Sequence, residues 1–181
     1  MATATTLLTL EEFIARPERE DDQKEELIEG ELIVSPGAKV SHADVVRRLH
    51  RALLAVEESG FVISNDFSCI LRPRSMPIPD LAVVRRERWE RAAREDSWLE
   101  NAPELVIEVV SPSNRKLHVK AAAYLEHGAE QVWIVNPKTR RITVCTSDDS
   151  VEARLGETVT FHGVSVAVGD VFPDLSTESL R

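Results

Sequence analysis

Two hydrophobic periods alternate along this chain, and the switches between them predict its elements. Val45, Val46, Leu49, Leu53 and Val56 recur at helical spacing. Ser41 can cap that helix and Gly60 stops it, so a helix is predicted over about 41–59, with Arg47, Arg48 and Arg51 off the apolar stripe. Thr9-Leu10-Glu11-Glu12 has the S/T-x-x-E form of a capping box and predicts a short helix. Glu26 to Ser35, with Gly30 in the middle, reads as two short strands around a tight bend or bulge. Phe61–Ser64 and Cys69–Leu71 read as strands. Pro73, Pro77 and Pro79 then forbid regular pairing until Asp80.

Downstream, Leu81–Val84 is an apolar run bounded by turn signals and predicts a buried strand. Residues 86–99 are charged with Trp89 and Trp98 interleaved, which reads as a helix or helical loop; a solvated helix with buried tryptophans is preferred over a binding loop. Glu104–Val110 is the strongest strand pattern in the chain. Turn chemistry at Ser111-Pro112-Ser113-Asn114 leads into a helix from about Lys116 to His127, capped by Gly128, and Gln131–Val135 is another buried strand. These last three elements make a βαβ unit, for which a right-handed crossover is expected. Arg141–Cys145 and several short strands over 152–172 follow. No repeat, low-complexity tract or linker divides the chain. The expectation is one α/β (α+β) domain over 1–181, with a core over about 10–172: a mixed sheet, flanking helices and extra C-terminal strands.

Two carboxylates break this apolar pattern. In the strand around Leu105, residues 105, 107 and 109 face one way and 106, 108 and 110 the other. Both faces are apolar, so Glu108 falls between Val106 and Val110 on a buried face. A carboxylate there is costly unless it is paired or binds a metal. Asp80 opens the second apolar strand. Two such carboxylates suit a hard divalent cation, which takes oxygen ligands. Lys120 lies on the helix packed back over the strand, beside three alanines and one turn before Tyr124. An ammonium facing two carboxylates can help to position water and neutralise a phosphoryl transition state. Each residue also has a blander reading: Asp80 as a solvated strand end, Glu108 as half of a structural ion pair, Lys120 as a surface lysine.

Charge and composition narrow the field. The formal charge of −9 excludes the global positive field usual in nucleic-acid binders, so contact with DNA must rest on local basic residues or a metal. Cys69 and Cys145 are far apart in sequence, which argues against a zinc knuckle and for reduced thiols in a cytoplasmic protein. The N-terminal stretch does not read as a signal peptide, and no run is long enough to span a membrane. No HExxH, phosphate loop or GxSxG occurs.

With these residues in order, the chain resembles the Uma-two family of restriction-endonuclease-like proteins, within the PD-(D/E)XK nuclease superfamily. The resemblance rests on Glu26 to Ile33, Ser35-Pro36, His42, Pro79-Asp80, Glu108-Val109-Val110-Ser111-Pro112-Ser113, Lys120, Tyr124, Gly128 and Val132 to Val135. It implies a Mg²⁺- or Mn²⁺-dependent endonuclease acting on DNA, often dimeric. Asp80 and Glu108 match the metal carboxylates and, with Lys120, the catalytic set. Glu29, Glu31, His42 and Tyr124 are further candidates. The superfamily lysine usually follows the glutamate by two residues; here that position is Val110, and Lys120 takes the role from the next helix. Many relatives also carry an acidic residue about four positions before that lysine, where this chain has Lys116. The alternative is a catalytically degenerate nuclease fold serving as a binding or interaction module; a weaker third reading is a small metal-dependent hydrolase with another substrate.

Overall fold

The computed structural model describes residues 7–17, 23–112 and 116–172. The predicted capping box forms: the Glu12 N–H donates to the Thr9 hydroxyl, and the Thr9 N–H to the Glu12 carboxylate, at the start of α1 (Leu10–Ile14). β1 (Lys24–Ile28) and β2 (Glu31–Ser35) pair as an antiparallel hairpin. Its two loop residues, Glu29 and Gly30, take φ of 50° and 80°, so the bend is a primed two-residue turn rather than a bulge. A Cβ at position 30 would also sit 3.1 Å from Leu7 and from the Leu8 carbonyl.

The long helix is shorter than its hydrophobic pattern. α2 spans Val40–Leu53 and tightens into a 3-10 segment over Leu54–Ser59. Residues three apart eclipse in a 3-10 turn, which keeps Val56 on the buried side with Leu53. Ser41 lies inside the helix; Lys39 occupies the cap position and makes no side-chain cap. Gly60 ends the segment with φ 86°.

Along the rest of the chain run β3 (Phe61–Ser64), β4 (Cys69–Ile70), β5 (Leu81–Arg85), α3 (Arg86–Arg94), β6 (Leu99–Glu100), β7 (Leu105–Val109), α4 (Leu117–Glu126), β8 (Gln131–Asn136), β9 (Arg141–Cys145), β10 (Ser150–Ala153), β11 (Thr158–Phe161), β12 (Val164–Ala167) and α5 (Val168–Val171). Six strands form one sheet in the order β10-β9-β8-β7-β5-β3. β7 and β8, joined through α4, are parallel; the other neighbours are antiparallel. The fold is the expected mixed α/β sheet with flanking helices.

The two sheet faces carry separate cores. Leu81, Val83, Leu105, Ile107, Val109, Trp133 and Val135 pack against α2 and the C-terminal β11, β12 and α5. Ala82, Val84, Val106, Val132 and Ile134 pack against Leu117, Ala121 and Tyr124 of α4. The alternation read along β7 therefore holds. Two expectations fail locally. Trp98, beyond the end of α3, is 47% exposed, and Trp89 is only partly buried on a charged helix none of whose residues is buried. The last apolar stretch closes as the short helix α5, not a strand, with Val168 and Val171 turned into the core. Among the described residues no helix is long and apolar enough to cross a membrane.

Candidate active site

The register of β5 against β7 builds the site. Leu81 pairs with Ile107 and Ala82 with Val106, so one step further Asp80 stands opposite Glu108. The Val109 N–H donates to Asp80 Oδ2 at 2.7 Å, which fixes that carboxylate at the strand mouth. Glu108 shares its face with Ala82 and Val106 and is 1% exposed. The small Ala121 and Ala123 are buried where α4 lies over this face. That approach sinks Lys120 to 4% exposure.

Lys120 Nζ has three donors and meets three acceptors: Glu26 Oε1 at 2.6 Å, Glu108 Oε1 at 2.9 Å and the Ile78 carbonyl at 2.8 Å. Tyr124, one turn on, donates its hydroxyl to Glu108 Oε1 at 3.2 Å. Glu26 Oε1 also accepts the Ile78 N–H at 2.7 Å, tying the hairpin to the approach of β5. His42 Nε2 lies 3.1 Å from Asp80 Oδ1.

Three carboxylates thus surround one ammonium. Burial pushes the Glu108 carboxyl up to about 8; Lys120 opposes that rise, while Asp80 and Glu26 add to it. For Lys120, burial pulls down, but Glu108 and Glu26 outweigh it, and the ammonium is held above its ordinary range. Burial, with the nearby Glu108 charge, holds the Tyr124 phenol well above its usual value, so Tyr124 remains a donor.

Asp80, Glu108, Lys120 and His42 line one cavity of about 420 Å³. Tyr124 supports it from beneath through Glu108. Glu29 and Glu31 do not line it: Glu29 accepts from the Ser75 hydroxyl at 3.0 Å, and Glu31 pairs with Lys116. Both belong to the turn and the following strand, past the residue of the hairpin that faces the site. That residue is Glu26, which motif reading passed over. It stands two positions before the buried Ile28, hence on the same face.

Among the described residues no three or more His, Cys, Asp or Glu side chains are grouped as metal ligands. The carboxylates that line the cavity are Glu26, Asp80 and Glu108, and of these Asp80 and Glu108 stand across β5 and β7 from each other. Lys120 and Tyr124 both engage Glu108 Oε1, and among the described residues no hydrogen bond or ion pair engages its Oε2. Two carboxylates beside open space fit Mg²⁺, which keeps several of its waters and takes one or two protein carboxylates.

A strand-helix-strand unit in a mixed sheet, with two carboxylates facing across β5 and β7 and a lysine from the crossing helix, has the layout of a restriction-endonuclease-like fold. The chain belongs to the Uma2 family, described as "Putative restriction endonuclease", whose profile matches residues 10–180. A similar solved structure is the crystal structure of "a putative nuclease belonging to DUF820" from Anabaena variabilis. It is 21% identical and superposes with a TM-score of 0.77 over 91% of this chain and 97% of the other. At that identity the likeness establishes the shared fold. No curated protein matches the chain.

Proposed function

We propose that this protein is a metal-dependent endonuclease that hydrolyses phosphodiester bonds in DNA, using Mg²⁺ or Mn²⁺ held by Asp80 and Glu108. The observation that carries the reading is the register that sets Asp80 opposite Glu108 on one cavity, with Lys120 Nζ 2.9 Å from Glu108. The family description and the nuclease described for the similar fold support it. A bound divalent cation supplies Lewis-acid polarisation of the phosphate and activation of water.

The chain's own groups prepare for that chemistry. Lys120 and Tyr124 hold Glu108 by one oxygen. The Val109 N–H and His42 hold Asp80 by its two oxygens. The Lys120 ammonium is a fixed positive charge beside the place where the phosphoryl oxygens gather negative charge, and such preorganised charge acts strongly where water is excluded. The free thiols of Cys69 and Cys145 suit a cytoplasmic protein.

The test incubates supercoiled, linear and single-stranded DNA with Mg²⁺, Mn²⁺ or EDTA. Wild type is expected to cut with either metal and not in EDTA. Asp80→Asn should abolish cutting. Lys120→Ala should reduce it roughly 10²–10³-fold, by analogy with the loss of one oxyanion donor. If folded wild type cuts no DNA in any metal, the nuclease reading fails and a degenerate binding module replaces it.

A further inference from the structure

The six-stranded sheet has two outer strands, β3 and β10, and they are finished differently. An outer strand presents unpaired N–H and C=O groups to any chain that can pair with them. On β3 the protein's own side chains take these groups. Arg86 Nη2 donates to the Phe61 carbonyl at 2.8 Å, and the Ile63 N–H donates to Glu57 Oε1 at 3.3 Å. On β10 the closure is partial. Where β9 turns into β10, the Thr146 N–H donates to the Asp149 carbonyl at 2.9 Å, which makes Cys145 and Ser150 a non-bonded pair. Bonded and non-bonded pairs alternate along an antiparallel ladder. Val151 and Ala153 therefore bond to β9, and the main-chain groups of Ser150 and Glu152 point outward. Asp149 Oδ1 takes the Ser150 N–H at 2.7 Å. Among the described residues no side chain takes the Glu152 N–H or the carbonyls of Ser150 and Glu152.

The sequence along this edge is complementary to itself. The outward groups recur at every second residue, so a two-fold axis relating two such edges passes through a residue. Centred on Val151, the pairing sets Ser150 against Glu152 and Asp148 against Arg154, each twice. Centred on Ser150 it would set Asp148 against Glu152, and centred on Glu152 it would set that glutamate against its own copy. Like charges directly opposite destabilise a sheet. Centred on Ala153, half of the pairing falls in the turn that begins at Arg154. The side chains at the favoured centre are also uncovered. Val151 is 59% exposed, although Ala153, two residues on and on the same face, is buried. Asp148 is exposed with no ion-pair partner among the described residues, and the Arg154 side chain is 66% exposed, with Glu152 at 3.6 Å.

We propose that β10 pairs antiparallel with β10 of a second copy of this chain, around a two-fold axis at Val151, so that one sheet runs through both molecules. Each Glu152 N–H donates to the Ser150 carbonyl of the second copy, and each Asp148 meets its Arg154. The two Val151 side chains cover one another at the axis, where a non-bonded pair brings side chains closest. The same patch serves both copies, so the assembly closes at two. The inference goes beyond the nuclease reading and uses none of Asp80, Glu108 or Lys120.

The experiment is sedimentation velocity of the full chain over roughly 1–100 µM, the range that suits a small interface. Wild type is expected as a dimer that dissociates on dilution. Val151→Lys sets two ammonium groups on the axis. Asp148→Arg and Arg154→Asp each set like charges opposite at both ends of the pairing. Each of the three should weaken the dimer about tenfold or more. An equal mixture of Asp148→Arg and Arg154→Asp should restore it, because every end contact in the mixed dimer is again between opposite charges. That restoration also shows that both variants are folded. Hydrogen exchange at the Glu152 amide should slow as the wild-type concentration rises. A wild type that stays monomeric across the range, a Val151→Lys dimer of wild-type affinity, or a mixture no more associated than its two components overturns the proposal.

Discussion

Two buried glutamates four residues apart at β7 have opposite surroundings. Glu104 is 6% exposed and meets two guanidinium groups: Arg88 Nη1 lies 2.8 Å from Oε1, Arg85 Nε 3.6 Å, and the Arg85 N–H donates to Oε2 at 2.9 Å. One carboxylate there faces two cations. Glu108 is more deeply buried and shares a single ammonium with Glu26, with Asp80 opposite. The first cluster is rich in positive charge, and its outer guanidinium, Arg85, also pairs with Glu130. The second is short of positive charge and opens on a cavity. Composition along the strand cannot separate these two acids; the count of cations around each does.

The largest expected effect breaks or upholds this contrast by stability. Glu104→Gln leaves two guanidinium groups facing a neutral amide. Removing one partner of a buried pair costs about 3–5 kcal/mol, and the half-exposed Arg85 lowers the expectation here to about 2–3 kcal/mol. Glu108→Gln puts a neutral amide in place of a carboxyl that the folded protein already holds protonated below about pH 8, and it keeps an oxygen for Tyr124 and Lys120. Its cost in metal-free protein should stay under about 1 kcal/mol, within the range of a hydrogen-bond adjustment. Urea denaturation of both variants measures this. A larger loss for Glu108→Gln than for Glu104→Gln would place the structural role at Glu108.

The second effect is of pH. The Glu108 carboxyl titrates near 4.5 when unfolded and is raised to about 8 when folded, chiefly by burial. Between those values the folded state holds a proton that the unfolded chain has released. The stabilisation from that proton is full below about 4.5 and is lost as pH rises through about 8. Metal-free protein should therefore lose stability across this window, by at most about 1.4 kcal/mol per pH unit for one proton. Glu108→Gln should flatten the slope, and Glu104→Gln should leave it in place. A slope that survives in Glu108→Gln assigns the proton to another group.

A third measurement compares metal response. Binding to the native state alone raises stability by mass action. Mg²⁺ should raise the melting temperature of wild type and of Glu104→Gln by similar increments, and that of Glu108→Gln not at all. A full metal shift in Glu108→Gln removes that residue from the ligand set.

Much of this arrangement was legible in the chain. The alternation along Leu105–Val109 put Glu108 on the face opposite Ile107, and the apolar run after Asp80 marked the neighbouring strand. The apolar faces of the two strands fix only the parity of their pairing; the particular register that sets these two acids opposite each other is a tertiary feature. Lys120 was legible as a partner because the turn after β7 returns α4 over the same face. Glu26 was not. Its placement depends on the bridge of Leu27 to Met76, 49 positions away in sequence, which seats the hairpin beside β5. No local pattern encodes that contact, so the motif residues Glu29 and Glu31 drew the attention instead. The arginine partners of Glu104 were hidden for a similar reason, since α3 reads only as a charged, solvated helix.

The smallest effect tests whether the cluster at Glu104 depends on shape as well as charge. Arg88 reaches three acceptors within 3.0 Å: Nη1 donates to Glu104 Oε1 at 2.8 Å and to the Ala102 carbonyl at 3.0 Å, and Nη2 to the Glu100 carbonyl at 2.8 Å. An ammonium on the shorter, unforked lysine stem keeps the charge but cannot reach all three. Arg88→Lys should therefore cost about 1 kcal/mol, the net worth of a typical hydrogen bond, and leave the magnesium-induced rise in melting temperature unchanged. The pairing at Glu108 is of the other kind: one ammonium meets its three acceptors at the edge of open space, and its carboxylate keeps an oxygen toward the cavity. If Arg88→Lys also weakens the metal response, the two ends of β7 are mechanically linked and the division between the two clusters fails. If stability falls alone, the guanidinium of Arg88 serves the strand, and the chemistry stays with Glu108.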